Sequence, residues 1–179
     1  MKQRDRRTKK MIAALRELAR IAEIMIDGEE AANIITERAW QHVARPDPNH
    51  PFLAGDYYDV DFAPFLRLKK TLMRLEKLVL FPCDATAWLK VRGAESEVTP
   101  VVHNGTLSRW YSFGLSSLPA PAEFATCLAR GEIVALEPDA AHEMVTVLAP
   151  MRDSLGDVVG AIEFSARPPS ARKSPPAWS

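Results

Sequence analysis

The sequence predicts an α+β fold, a five-stranded antiparallel sheet with long N-terminal helices packed on one face. Three observations carry this expectation. Residues 1–80 hold apolar side chains at helical spacing, interrupted by one loop. Residues 81–166 turn to the alternation of strands, around one short helix. The ordered part closes on "MVTVLAPMRDSLGDVVGAIEFSA" (144–166), two apolar strands around a polar turn that contains glycine. Residues 167–179, "RPPSARKSPPAWS", form a proline- and serine-rich basic tail expected to be disordered.

The first helix is read over 9–26, where Met11, Ile12, Leu15, Leu18, Ala19, Ala22, Met25 and Ile26 form an apolar stripe between charges. Gly28 can close it, and Asp27 can cap a second, weaker helix over 29–44 with Ala31, Ile34, Ile35 and Val43 on one face. "RPDPNHP" (45–51) holds three prolines and reads as a loop. A third helix is expected over 62–80, with Phe65, Leu68, Leu72, Leu75 and Leu78 inward. Arg67, Lys69, Lys70, Arg74 and Lys77 then mark its solvent side.

Beyond "FPCD" the period becomes two. In "ATAWLKVRG" (85–93), Ala87, Leu89 and Val91 share one face, and Thr86, Trp88 and Lys90 share the other. "EVTPVVHNG" (97–105) completes a hairpin. The long connection "TLSRWYSFGLSSLPAP" leads to a short helix that Pro121 starts and Gly131 ends. "EIVALEP" is a third strand, and the closing hairpin supplies the fourth and fifth. In that hairpin Val145, Val147 and Ala149 oppose Met144, Thr146 and Leu148, and Val159 and Ala161 oppose Val158, Ile162 and Phe164. Both faces are mostly apolar, so both are expected to be covered: one by the long helices, the other walling a pocket or simply core. Gly156 and Gly160 fit a tight turn and a close backbone approach.

Composition limits the function classes. With 47% hydrophobic and 26% charged residues, a packed core is within reach. The formal net charge is zero, which excludes a nucleic-acid binder working through bulk positive field. No run of 18 apolar residues spans a membrane, and "MIAALRELARIAEIMI" is broken by Arg16, Glu17, Arg20 and Glu23, unlike a signal-peptide core. Cys83 and Cys127 lie in no CxxC pattern; a disulfide and two buried thiols are both open, the thiols being the plainer reading.

Candidate chemistry is sparse. His42, His50, His103 and His142 show no helical metal-pair spacing, so no metal and no cofactor is expected. There is no GxSxG, no glycine-rich phosphate loop and no nucleophile pattern, so an enzyme has little support. "SRWYS" (108–112) is the most suggestive cluster. Arg109 can clamp a carboxylate with two hydrogen bonds, and Trp110 and Tyr111 can close over the rest of a ligand. Trp88, Lys90, His103 and Thr146 are the strand residues expected to line the same pocket, with Tyr57 and Tyr58 as a lid.

The helix with "IDGEE", the "DYY" linker, the helix "PFLRLKKTLMRLEKL" and the final "VLAPMRDSLGDVVGAIEFSA" resemble, in pattern and order over residues 10–166, the Cache sensor domains of bacterial receptors, which are PAS-like folds. The resemblance implies a signal-transduction module sensing a small molecule between the sheet and the 104–129 segment. Arg109 and Lys90 would make that ligand an anion, a small carboxylate or amino acid. Partners expected are that ligand and a second copy through the N-terminal helix; charge balance and hydropathy argue against nucleic acid and a membrane span, the latter a departure from the family, whose domains sit between two membrane-spanning helices. The family's tyrosine, arginine, tryptophan and late aspartate pattern is only partly present. A free-standing chain would be cytoplasmic; one excised from a membrane receptor would be periplasmic. The competing expectation is a dimeric scaffold with a filled PAS-like core.

Overall fold

The computed structural model describes residues 2–44, 60–105, 117–136 and 144–168. The described helices are α1 (Lys2–Met25), α2 (Gly28–Ala32), α3 (Glu37–Ala44), α4 (Phe62–Leu75) and α5 (Ala122–Arg130), with a 3₁₀ turn at Glu76–Leu78. The described strands are β1 (Asp84–Val91), β2 (Ala94–His103), β3 (Leu118–Pro119), β4 (Val134–Leu136), β5 (Val145–Arg152) and β6 (Val158–Ala166). They form one sheet in the order β3-β2-β1-β6-β5-β4 with every pairing antiparallel.

The α+β class and the single antiparallel sheet therefore stand, with six strands in place of five. The extra strand, β3, is two residues inside the serine-rich connection, and Pro119 sits in it at the sheet edge, where a missing N–H costs least.

The helices differ from expectation in four places. The stretch 29–44 splits into α2 and α3, because Asn33 caps α2 and the β-branched run Ile34–Ile35–Thr36 leaves the helix to pair Ile35 with Val60. Asp27 caps α2 as expected, accepting from the Glu29 and Glu30 amides at 2.9 and 3.2 Å. Gly28, however, does not close α1. It opens α2, and a Cβ there would lie 2.3 Å from the Arg152 carbonyl oxygen, so glycine lets α2 press against the closing hairpin. Within α4, Lys69 is buried rather than solvated, its ammonium lying 5.9 Å from the Phe65 ring centroid. Burial lowers its pKa. Met25, expected in the apolar stripe, is exposed.

The sheet has two different faces. Against the first, Leu15, Leu18 and Ala22 of α1 and Leu68, Leu72 and Leu75 of α4 pack on Ala87 and Leu89 of β1, Val147 and Ala149 of β5, and Ile162 and Phe164 of β6. These side chains are nearly all inaccessible to water, and burying each of the larger ones, the alanines aside, contributes about 1.5–3 kcal/mol. Against the second face lies α5, whose Phe124, Cys127 and Leu128 meet Val98, Leu148 and Ala161. The closing hairpin is thus covered on both sides.

Its facing pattern needs one correction. A bulge where Arg152 pairs with Val158 but Met151 with Gly160 shifts the alternation. Val159 consequently packs with Ile162 and Phe164 on the first face, and Val158 joins Ala161 on the second. Gly160 permits this crowding, since a Cβ there would stand 2.1 Å from the Trp88 carbonyl oxygen. Gly156 closes the turn at φ +88°.

Arg152, at the bulge, ties three elements together. Its guanidinium donates to the Gly156 and Gly131 carbonyl oxygens, each at 2.8 Å, and its Nε lies 3.8 Å from Glu23 of α1. Gly131, at φ +63°, ends α5 in the left-handed conformation glycine favours. Ser154 in the same turn donates to Glu29 of α2 at 2.5 Å.

Candidate functional site

The strand register places an unusual set of side chains together on the second face. Across neighbouring strands, His103 faces Thr86, Thr86 faces Glu163, and Glu163 faces Leu148. One row on, Asp84 faces Ser165, and Ser165 faces Thr146. Directly cross-strand residues share a face, so these six polar residues form one floor over β2, β1, β6 and β5. Five of them are half-buried and Asp84 is exposed. On the other side of the floor the surface turns apolar, with Trp88 and Ala161 under α5.

Glu163 is the centre of this floor. Its Oε2 accepts the Trp88 indole N–H at 2.9 Å. The Trp88 ring is held in turn by Phe124 of α5, edge to face at 5.4 Å between centroids. Burial pushes the Glu163 carboxyl above its ordinary range; the Trp88 hydrogen bond pulls the other way, and the Asp84 charge adds to the rise. His103 Nδ1 accepts the Gly105 amide N–H at 2.9 Å, so in the neutral ring Nε2 carries the proton.

A cavity of about 700 Å³ adjoins the floor at the Asp84 end, lined also by Glu76, Phe81, Pro82, Asn104 and Gly105. Asn104 fixes that wall. Its side-chain oxygen accepts the Ala85 N–H at 3.1 Å, and its amide group donates to the Cys83 carbonyl at 3.0 Å and to Glu76.

Of the residues picked out from sequence, Trp88, Lys90, His103 and Thr146 are brought onto this one face. Lys90 lies farther along β1, beyond Trp88 and opposite Val98. Arg109, Trp110 and Tyr111 lie outside the described residues, as do His50, His142, Tyr57, Tyr58 and the tail from 169. His42 lies on α3. Sequence reasoning missed Glu163, Ser165 and Asp84. The signal was there in "AIEFSA", where a glutamate and a serine alternate with Ile162 and Phe164 on a strand otherwise apolar.

Cys83 and Cys127 are both free and buried, so no disulfide joins them. Burial pushes each thiol up to about 12, helped at Cys83 by Asp84 and Glu76 and at Cys127 by Glu23. Neither is a nucleophile in that state. Among the described residues no group of three His, Cys, Asp or Glu side chains could hold a metal ion, and no helix is long and apolar enough to cross a membrane.

No protein-family model matches the chain, and no curated protein matches it significantly. Solved structures do. A GAF domain is similar at TM-score 0.43 and 10% identity, over 57% of this chain and 61% of that one. NreA from Staphylococcus aureus, in a form mutated in its nitrate binding site, is similar at TM-score 0.45 and 14% identity, over 64% of this chain and 96% of that one. The sensory domain of the Campylobacter jejuni chemoreceptor Tlp3 is similar at TM-score 0.38 and 8% identity, over 92% of this chain and 63% of that one. Several of the similar structures are GAF domains and one is a chemoreceptor sensory domain, and none of these names is specific to the Cache type expected from sequence.

Proposed function

We propose that this protein is a ligand-binding sensor module whose ligand sits on the second sheet face, between the sheet and the 104–129 segment. The observation that carries this reading is the polar floor itself. Central-strand positions of a sheet with helices on both faces are ordinarily apolar. Here Thr86, His103, Thr146, Glu163 and Ser165 occupy such positions, half-buried. Hydroxyl, imidazole and carboxyl groups gathered on one face offer a small molecule several hydrogen bonds at once. The anion expected from Arg109 and Lys90 is the carboxylate form of this reading.

A thermal-shift screen of the intact chain against amino acids, small carboxylates and small amines tests it. Ligand at a hundred times its Kd adds about 2.7 kcal/mol, a rise of roughly 5–10 °C in melting temperature for a chain of this size. The rise must vanish in Thr86→Val/Thr146→Val. A screen with no hit, or hits that survive that double substitution, removes the floor as the site.

A second reading, a dimer through α1, is favoured by a separate observation. Ile24 and Met25 form an exposed apolar ridge beside a hollow of about 440 Å³ lined by Leu18, Ile21, Leu78 and Leu80. A two-fold pairing of α1 helices would give each ridge the other copy's hollow. Light scattering of wild type and Leu80→Glu decides it: a dimer made monomeric by the substitution supports this interface, and an unchanged mass sinks it.

A further inference from the structure

We propose that the floor selects a ligand bearing a protonated amine, with Glu163 as the charge partner of that amine. This rests on reading the floor as a ligand site and names the chemistry it would accept.

The floor holds two acceptor-only carboxylates, Glu163 and Asp84, beside hydroxyls that can donate or accept and the His103 Nε2–H donor. Trp88 holds one oxygen of Glu163 at 2.9 Å, which fixes the carboxyl plane and leaves the second oxygen to accept. Thr86 lies directly across from Glu163, with Thr146 and Ser165 in the adjoining row, and all three hydroxyls can accept. Asp84 adds a second carboxylate on the diagonal from Glu163, close enough for its charge to be felt there. No lysine or arginine of the described residues forms an ion pair with Asp84 or Glu163.

The described cation on this face, Lys90, lies beyond Trp88, where its partner across the hairpin is Val98. Among the described residues, then, the charges on the Glu163 end of the floor are the two carboxylates, and Lys77 in the adjoining cavity pairs with Glu76. A carboxylate ligand there meets like charge, whereas an ammonium group brings three donors and the missing counter-charge. The apolar surface of Trp88 beside it suits the hydrocarbon part of such a ligand. Glu163 is therefore the specificity-determining residue, and Trp88 positions it.

The test uses two probes of the same length and opposite charge, butylammonium and butyrate, titrated into the ¹⁵N-labelled intact chain at fixed ionic strength. The Trp88 indole N–H resonance, assigned by its loss in Trp88→Phe, reports on the Glu163 carboxyl. Butylammonium is expected to move it saturably and butyrate to leave it in place. In Glu163→Gln, which keeps an oxygen for the indole, butylammonium affinity should fall about tenfold or more. A response to butyrate without one to butylammonium overturns the amine and leaves the floor as a ligand site. A response to neither probe, or an undiminished response in Glu163→Gln, also overturns the amine; the thermal-shift screen then judges the floor by itself.

Discussion

The two faces of the sheet carry the same strands and do different work. Toward α1 and α4, alternate positions of β1, β5 and β6 are alanine, valine, leucine, isoleucine and phenylalanine, and nearly all are closed to water. Toward α5, the same strands present Thr86, Thr146, Glu163 and Ser165 interleaved with those apolar residues. The difference teaches where the stability of the fold resides, and where the proposed recognition would. One face supplies the burial that holds the fold, which frees the other to hold polar groups that stability alone does not call for.

Matched truncations across β6 are the sharpest way to break this comparison. Ile162→Ala removes a fully buried side chain from the first face and should lower unfolding free energy by about 2–5 kcal/mol. Ser165→Ala, three residues away on the second face, should change it by less than ~0.5 kcal/mol. Urea melts of both measure the contrast, and similar losses at the two sites would erase the distinction between faces. Asn104→Leu comes next. It strips the Ala85 amide and the Cys83 carbonyl of their buried partner and should be destabilising by about 2–4 kcal/mol in the same assay.

Glu163→Gln carries a smaller effect than Ile162→Ala or Asn104→Leu, and the opposite sign. The Glu163 carboxyl has its pKa raised in the folded state, so the native protein resists its ionisation. The resulting penalty is absent below the unfolded pKa, appears as pH rises through the interval between the unfolded and folded values, and is complete above the folded one. The substitution should therefore raise the melting temperature at pH 7 and leave it unchanged near pH ~4. A lower melting temperature at pH 7 would mean that the ionised carboxylate stabilises the free protein.

Much of this was legible in the residues. The stripe from Met11 to Ala22 and the alternation from Ala85 to Val91 each follow a single period, and both elements formed where those periods placed them. The facing of Trp88 and Lys90 followed from that alternation, and that of Thr146 from the alternation of β5. What failed depends on tertiary context. Lys69 looks like any other surface cation in a basic helix until Phe65 packs beneath its ammonium. The bulge at Val159 moves one residue across the sheet and leaves no mark in composition. The floor is a property of four strands from distant parts of the chain, so Glu163 gained meaning only once Asp84, Thr86 and Thr146 stood beside it.

The guanidinium at the closing turn has a mechanical consequence. The C-terminal end of α5 and the flank of α1 belong to opposite sides of the sheet, yet both are gripped by Arg152 as it wraps the rim. One side chain thus bridges the last turn of α1 on one side of the sheet and the end of α5 on the other.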